Sequence, residues 1–236
     1  MTGKLFGIGV GPGDPEFLTL KAKRILDAVP VIFVPVKGMD EESTALNIVR
    51  SVVDVERKEI IKLLFAMEGD QSDFKKCGED ASKIVAGHLS TGQDAAMISL
   101  GDISVYSTYM YLNQYVEGMG FDTEIVPGIT SFCSAAALAK ISLMMGSEGL
   151  AVVPSLKDNE LLQKAMDDFH NVVIMKAGGS MERIEQMMAA SNIPLDRATV
   201  VSRAGMDGQY IGPIDKSRKF SYFTTIVIKK PMGGEI

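Results

Sequence analysis

The residues best suited to chemistry lie in three short loops that combine glycine with acidic or hydroxyl side chains. They are residues 9–14 (Gly-Val-Gly-Pro-Gly-Asp), 101–104 (Gly-Asp-Ile-Ser) and 127–131 (Pro-Gly-Ile-Thr-Ser). Glycine lets a ligand approach the backbone, whose N–H groups supply hydrogen bonds. Each loop follows an apolar run of strand type, and ligands of open parallel sheets bind beyond the carboxyl ends of the strands. The three loops therefore predict one ligand-binding crevice.

The first loop does not fit the common nucleotide-binding motifs. A G-x-G-x-x-G pattern requires glycine at position 12 or 14, where the sequence has Pro12 and Asp14. A pyrophosphate beside a helix capped by Asp14 would also meet a carboxylate. No Gly-Lys-Ser/Thr follows, so the loop is not a P-loop. On spacing alone, a ligand-binding loop and a plain strand–helix turn capped by Asp14 both remain open.

The pattern of apolar residues predicts the elements that position these loops. Strands are expected at residues 5–10, 31–34, 59–65, 95–100 and 123–126, with helices at 15–27, 44–53, 74–89 and 109–118. Further helices are expected at 130–139, 159–169 and 181–191, with strands at 150–153, 172–175, 198–202, 209–211 and 222–228. The sequence therefore predicts an α/β fold of two domains. Residues 1–126 would form a mostly parallel five-stranded sheet, and residues 127–236 a mixed sheet.

Composition excludes several classes of function. The 236 residues are 46% hydrophobic, which is enough for one large core or two modest ones. Cys77 and Cys133 form neither a disulfide framework nor a metal-ligand spacing, which is typical of a reducing cytoplasm. The net charge of −6 argues against a general nucleic-acid or anionic-membrane surface. We therefore expect a cytoplasmic protein without nucleic-acid or membrane partners.

The three loops together resemble a known family. Residues 9–15, with Leu-Thr-Leu-Lys-Ala at 18–22, are similar to the opening motif of the tetrapyrrole (corrin/porphyrin) methylases. Leu-Gly-Asp at 100–102, followed by Tyr-Ser-Thr at 106–108, resembles that family's Gly-Asp-Pro loop, and residues 125–131 resemble its next signature. The likeness covers nearly the whole chain, and three ordered motifs are far more specific than one glycine loop.

Other segments favour the branch that methylates C(20) of precorrin-2 or its cobalt complex. These segments are residues 33–35, 43–45, 106–109, 172–176 and 222–225. Two residues depart from the family pattern, since Ile103 and Ala66 stand where prolines are usual. Alternatives within the family are uroporphyrinogen-III methyltransferases and later corrin-ring methylases. From a different class, a non-catalytic nucleotide-sensing module also remains open.

The resemblance implies a homodimer of two-domain subunits, with S-adenosylmethionine and the tetrapyrrole held in a cleft between the domains. The cofactor carries its methyl group on a sulfonium, and the nucleophile would be an electron-rich bridging carbon of the macrocycle. The protein then mainly aligns the reactants and excludes water. We therefore expect no protein-bound metal and no covalent intermediate, and any cobalt would arrive inside the substrate.

Site residues are carried over from the family by motif position. The resemblance assigns cofactor contacts to Gly101, Asp102, Ile103, Thr130, Ser131, Met175, Arg203, Ala204 and Thr225. Thr130 and Ser131 are also ordinary helix N-cap residues, and Met175 suits a strand core equally well. Asp102 could instead face the macrocycle and accept a proton, or only stabilise its loop.

Substrate contacts are expected at the mouth of the cleft and from two aromatic rings. Pro12, Asp14 and Tyr106 are the candidates for substrate binding, while Tyr222 joins Asp102 as a catalytic candidate. Core packing is the alternative for both tyrosines, and helix capping is the alternative for Asp14. Lys176 and Arg203 are further candidates, for the peripheral carboxylates of the substrate. His88 and His170 show no ligand or triad spacing.

Overall fold

The computed structural model describes residues 2–65, 71–154 and 159–230 of the chain. The chain divides into two compact units, Met1–Thr130 and Ser131–Ile236. The first unit thus extends to Thr130, beyond the boundary expected after Val126. Ala66, one of the two positions that depart from the family pattern, lies outside the described residues.

A parallel five-stranded sheet forms the centre of the first unit. Its strands are β1 (Leu5–Gly9), β2 (Val31–Val36), β3 (Glu59–Leu64), β4 (Ala95–Ser99) and β5 (Thr123–Val126), in the order β3-β2-β4-β1-β5. Its α-helices are α1 (Leu20–Ala28), α2 (Thr44–Arg50), α3 (Gln71–Leu89) and α4 (Tyr109–Gly118). Every strand pair is parallel, as the alternation of strands and helices predicted. Strands β4, β1 and β5 are adjacent and parallel, so the three glycine loops leave the same edge of the sheet.

Helices cover both faces of this sheet, because alternate strand residues point to opposite sides. Ile8 and Ile98 pack with α1 and α2 in one buried cluster. Phe33 and Met97 pack with α3 and α4 in the other. Gly78 lets α3 approach α4, since a Cβ there would lie 2.7 Å from the carbonyl oxygen of Tyr111.

The segment after the first loop differs from the predicted helix 15–27. Asp14 caps only a short 3-10 turn, Pro15–Phe17, by accepting a hydrogen bond from the N–H of Glu16. Leu18 is extended, and Thr19 then caps α1 by accepting from the N–H of Ala22. The sequence prediction of one continuous helix from Pro15 was therefore wrong, because a second capping residue starts the helix later.

The second unit contains a mixed sheet, as predicted. Its strands are β6 (Leu150–Pro154), β7 (Asn171–Met175), β8 (Ala198–Ser202), β9 (Tyr210–Gly212) and β10 (Thr224–Lys229), in the order β6-β7-β10-β8-β9. Its α-helices are α5 (Ser131–Ala139), α6 (Asn159–Asp168) and α7 (Met181–Ala190). Strands β6 and β7 are parallel, whereas β10 runs antiparallel to both β7 and β8. The carboxyl ends of β7 and β8 therefore meet the amino end of β10 at one edge of the sheet.

An exposed ion-pair network at the amino edge of the first sheet gives a pH prediction. Hydrogen bonds from Lys21, at 2.6 Å, and from Lys4, at 3.0 Å, lower the pKa of Glu124 to about 2. A lowered carboxyl pKa contributes stability above the unfolded-state pKa of about 4.3, and the contribution is lost as the pH falls through the folded value. Urea unfolding between pH 7 and pH 2 should therefore show a smaller loss of stability in Glu124→Gln than in the native protein.

The matched control is Glu42→Gln, because the Glu42 carboxylate is exposed and makes no ion pair within the described ranges. High salt should reduce the difference in acid sensitivity between the native protein and Glu124→Gln, since exposed charges are screened. The prediction is contradicted if the free energy of unfolding falls equally between pH 7 and pH 2 in Glu124→Gln and in the native protein.

Candidate active site

The loops after β1 and β4 are joined by backbone hydrogen bonds. The N–H of Gly11 donates to the carbonyl of Gly101 at 3.1 Å, and the N–H of Gly101 donates back to the carbonyl of Gly11 at 2.7 Å. Together they form an isolated antiparallel bridge beyond the parallel sheet. Gly11 has φ +81°, a backbone conformation that favours glycine. The first two predicted loops are therefore brought together as expected.

The loop after β5 packs against both of them at two glycines. A Cβ on Gly9 would lie 2.6 Å from the nitrogen of Gly128. A Cβ on Gly128 would lie 2.2 Å from the carbonyl oxygen of Gly101. These glycines thus allow loop-to-loop contact, a role that the sequence interpretation did not foresee. We call this meeting point of Gly9, Gly101 and Gly128 the glycine junction.

Asp102 fixes the glycine junction through its carboxylate. One oxygen accepts a hydrogen bond from the N–H of Gly128 at 2.7 Å. The other accepts from the N–H of Ser104 at 2.9 Å and from the Ser104 hydroxyl. Since both oxygens are occupied and only 7% of the residue is exposed, the geometry favours a loop-stabilising role over proton acceptance.

The same contacts keep this carboxylate ionised. Burial acts to raise the pKa of Asp102, but hydrogen bonds from the Ser104 side chain and from the backbone of Ser104, Gly128 and Ile103 outweigh it. The net pKa is therefore lowered. A carboxylate that accepts several backbone N–H bonds is a strong link between the loops, because charge-assisted hydrogen bonds are the strongest of their kind.

Ile103 and Tyr106 lie on the same loop but face different surroundings. The Ile103 side chain is fully buried in the cluster that contains Phe33 and Tyr109. Isoleucine thus fills the core at the position where the family usually has proline. Tyr106 is 50% exposed and has φ +50°, which is uncommon for a residue with a side chain. Its ring is therefore presented at the surface of the first unit, where contact with a substrate is feasible.

The remaining candidates of the first unit differ in exposure. Pro12 is buried beside the glycine junction, and Asp14 is partly exposed on its 3-10 turn. Thr130 carries a buried hydroxyl oxygen that has no hydrogen-bond partner within the described residues. A buried polar atom without a partner is unfavourable unless a ligand or water supplies one. This observation supports a binding role for Thr130.

The candidates in the second unit gather at the edge where β7, β8 and β10 meet. Met175 at the end of β7 lies opposite Thr225 on β10. Ser202 at the end of β8 lies opposite Thr224. Arg203 and Ala204 follow Ser202 directly, and their backbone joins the edge because the N–H of Arg203 donates to the carbonyl of Phe223 at 2.7 Å. The fold thus places residues far apart in sequence at one edge.

Two cationic residues at this edge have left-handed backbone conformations. Lys176 has φ +59° and Arg203 has φ +54°. Such conformations are strained and persist only where the surrounding structure maintains them. They cluster at functional sites. The side chain of Arg203 is held within its own loop, where its Nε donates to the carbonyl of Asp207 at 2.5 Å. Arg203 therefore shapes this edge mainly through its backbone.

Tyr222 and Lys176 form an exposed pair. The Lys176 ammonium lies 5.4 Å from the centre of the Tyr222 ring, within the range of a cation–π contact. Tyr222 is 48% exposed and packs edge-to-face on Phe223. Core packing is thus excluded for this tyrosine, and its ring is available at the surface of the second unit. Sequence spacing gave no indication of the pairing, which depends on β7 and β10 being neighbours.

Neither a metal centre nor a membrane span is found in the described part of the chain. No group of three or more His, Cys, Asp or Glu side chains there is arranged to hold a metal ion. None of the helices there is long and apolar enough to cross a bilayer. Nδ1 of His170 accepts a hydrogen bond from the N–H of Gly149 at 3.3 Å. The His88 ring packs edge-to-face on Phe33, and its Nδ1 lies 3.9 Å from a carboxylate oxygen of Glu59.

The fold is that of a class of methyltransferases. Residues 4–215 match the family described as Tetrapyrrole (Corrin/Porphyrin) Methylases, and the chain belongs to this family. A uroporphyrin-III C-methyl transferase from Thermus thermophilus, solved in complex with S-adenyl homocysteine, has the same fold with a TM-score of 0.72 at 18% identity. The match covers 96% of this chain and 97% of that one.

Two relatives are similar in sequence over most of their length. A cobalt-precorrin-2 C(20)-methyltransferase from Salmonella typhimurium is 30% identical over 234 residues, covering 98% of both chains. A probable cobalt-precorrin-2 C(20)-methyltransferase from Methanocaldococcus jannaschii is 39% identical over 181 residues, covering 77% of this chain and 75% of that protein. The family and the branch expected from the sequence motifs are both supported by these relatives.

Proposed function

We propose that this protein transfers a methyl group from S-adenosylmethionine to C(20) of precorrin-2 or of its cobalt complex in cobalamin biosynthesis. The observation that carries the proposal is the glycine junction, which joins all three family motifs in one place. The full-length similarity to a cobalt-precorrin-2 C(20)-methyltransferase supports the choice of substrate.

The residues present fit such a cofactor. The partnerless hydroxyl of Thr130 requires a hydrogen-bonding group that the described residues do not supply. When bound, S-adenosylmethionine supplies an electrophilic methyl group on its sulfonium. The chain then has to position the reactants and exclude water. Asp102 contributes by holding the glycine junction in place, so that backbone groups of the loops are ready for the cofactor.

Tyr222 and Lys176 are the groups that we assign to the tetrapyrrole. The exposed Tyr222 ring offers a surface for stacking, and its hydroxyl can exchange a hydrogen bond with a polar group of the macrocycle. The Lys176 ammonium above that ring brings positive charge towards a substrate rich in carboxylates. Tyr106, Pro12 and Asp14 are assigned to the same substrate from the first unit. Met175, Arg203, Ala204, Thr225 and Ser131 complete the proposed cofactor site with Gly101 and Ile103.

The test is an anaerobic methylation assay with labelled S-adenosylmethionine. Precorrin-2 and its cobalt complex should each be offered, and the products resolved by mass. Addition of one methyl group to either one supports the proposal. Transfer only to uroporphyrinogen III or to a later corrin intermediate would assign the protein to another branch of the family. Cofactor binding without transfer to any tetrapyrrole would favour a sensing role. The homodimer implied by the family can be measured on the same sample by light scattering.

Thr130 gives a separate prediction for the cofactor. Thr130→Val removes the hydroxyl and keeps the shape, so the protein no longer contains this buried polar atom without a partner. We expect the melting temperature of the free protein to be unchanged or higher, because replacing an unsatisfied polar group by an apolar one is nearly neutral or stabilising. The affinity for S-adenosylhomocysteine should fall about 3- to 10-fold, as expected for the loss of about one hydrogen bond.

Calorimetric titration would measure this affinity, with Thr91→Val as the control. The Thr91 hydroxyl lies in the turn after α3 and donates to the carbonyl of His88 at 2.7 Å, away from the glycine junction in the fold of the first unit. An unchanged affinity in Thr130→Val would remove Thr130 from the proposed cofactor site.

A further inference from the structure

Arg183 is a cation in the first turn of α7. Its Nε and Nη2 atoms are buried and have no hydrogen-bond acceptor within the described residues. The residue as a whole is partly exposed, while these two guanidinium atoms are enclosed. Arginine cannot lose its charge in proteins, so an enclosed guanidinium without an acceptor is unfavourable. The geometry therefore indicates a partner that the described residues do not provide.

Two lysines of the second unit form ion pairs, in contrast to Arg183. Lys216 lies 2.5 Å from the carboxylate of Glu185, and Lys229 lies 3.4 Å from that of Glu148. Arg183 stands between Glu182 and Glu185 in sequence, yet it forms no ion pair with either. A cation in the first turn of a helix is also unfavourable with respect to the helix dipole. An anion bound at the guanidinium would offset both costs.

The position of Arg183 places its guanidinium near the proposed site. Strand β7 ends at Met175, and the chain passes through Lys176 and a 3-10 turn, Ala177–Gly179, before α7 begins at Met181. The first turn of α7 therefore lies at the carboxyl end of β7, the edge that carries Lys176. Helix side chains tilt towards the helix amino end, so the Arg183 side chain is directed towards this edge.

We propose that Arg183 binds a carboxylate of the ligand that occupies this edge. The inference rests on the proposed function, because both the tetrapyrrole and S-adenosylmethionine carry carboxylates. A guanidinium suits this task, since it can donate two parallel hydrogen bonds to one carboxylate. Arg183 is thus a positioning residue, which orients a bound molecule without contacting the reacting atoms. Its place outside the three family motifs explains why the motif comparison did not select it.

The experiment uses Arg183→Met, Arg183→Gln and Arg183→Lys in the full chain. Arg197→Gln is the control, because Arg197 is an exposed arginine of the same unit that precedes β8, at the opposite edge of the sheet. Ligand affinity is measured for two probes. Uroporphyrin, a stable porphyrin polycarboxylate, is followed by fluorescence, and S-adenosylhomocysteine by calorimetry. The melting temperature of each free variant is recorded as well.

We expect opposite effects on stability and on binding. Arg183→Met and Arg183→Gln should keep or raise the melting temperature, because an unpaired cation is removed. The affinity for one of the two probes should fall about 10-fold or more, as expected for a charge-assisted hydrogen bond, and the probe that is affected identifies the source of the carboxylate. Arg183→Lys should recover part of the loss. Arg197→Gln should leave both affinities unchanged.

Two outcomes would overturn the inference. One is an unchanged affinity for both probes in Arg183→Met and Arg183→Gln. The other is a lowered melting temperature with equal loss of both affinities, which would mean that Arg183 supports the fold. The proposed function fails in a different way, if the native protein binds both probes but methylates neither precorrin-2 nor its cobalt complex.

Discussion

Gly128→Ala is expected to lower the free energy of unfolding by about 3 kcal/mol and to abolish measurable cofactor binding. A Cβ at this position would lie 2.2 Å from the carbonyl oxygen of Gly101 and 2.7 Å from the carbonyl carbon of Gly9. Both are backbone atoms, so no side-chain rotation can relieve the clash. The loops would have to separate, and the 2.7 Å hydrogen bond from Gly128 to Asp102 would be lost with the movement.

The matched control for this substitution is Gly87→Ala. Gly87 lies within α3, and a Cβ there would meet nothing within 4 Å. Alanine is favoured over glycine in a helix by up to about 1 kcal/mol, so the control should be neutral or more stable. Urea unfolding and calorimetric titration with S-adenosylhomocysteine would be measured on both variants. Native-like stability in Gly128→Ala would show that the glycine junction is not as tightly packed as described.

The periodicity of the sequence was sufficient to predict most of the fold. Helix Tyr109–Gly118 and strands Thr123–Val126 and Ala198–Ser202 have the predicted bounds, because turn-forming residues stand at their ends. The start of α1 was missed for a physical reason. Asp14 and Thr19 are both good caps, and only the extended backbone of Leu18 decides that Asp14 caps a separate turn. Such a choice between two local signals depends on packing that one sequence does not reveal.

For the candidate site, the sequence predicted the meeting of the loops but not the reason for their glycines. The rule on strand ends placed residues 9–14, 101–104 and 127–131 together, since β4, β1 and β5 are neighbours. That Gly9 and Gly128 contact each other is a tertiary feature. The left-handed conformations of Tyr106, Lys176 and Arg203 have no sequence signal either, because glycine and asparagine are the residues usually found there.

Asp102→Asn should test whether this residue fixes the loops or accepts a proton. An amide keeps one acceptor oxygen, but its NH₂ group must then face an N–H donor, either that of Gly128 or that of Ser104. We expect a loss of about 1.5–3 kcal/mol in stability at pH 7, the range for hydrogen bonds to a charged group. Asp54→Asn is the control, because the exposed Asp54 carboxylate accepts from the N–H of Glu56 at 3.0 Å, a bond that an amide can keep.

The pH dependence separates the two roles of Asp102. Because its pKa is lowered in the folded protein, its contribution to stability is complete above the unfolded-state pKa of about 3.9 and is lost as the pH falls through the folded value. The stability difference between the native protein and Asp102→Asn should therefore be constant from about pH 6 to 8 and shrink in acid. The methylation rate should fall by the same factor across that neutral range. A carboxylate that only fixes the loops through three hydrogen bonds from Gly128 and Ser104 should not ionise near neutral pH. If the native rate profile shows an ionisation there and Asp102→Asn removes it, Asp102 is instead the proton acceptor.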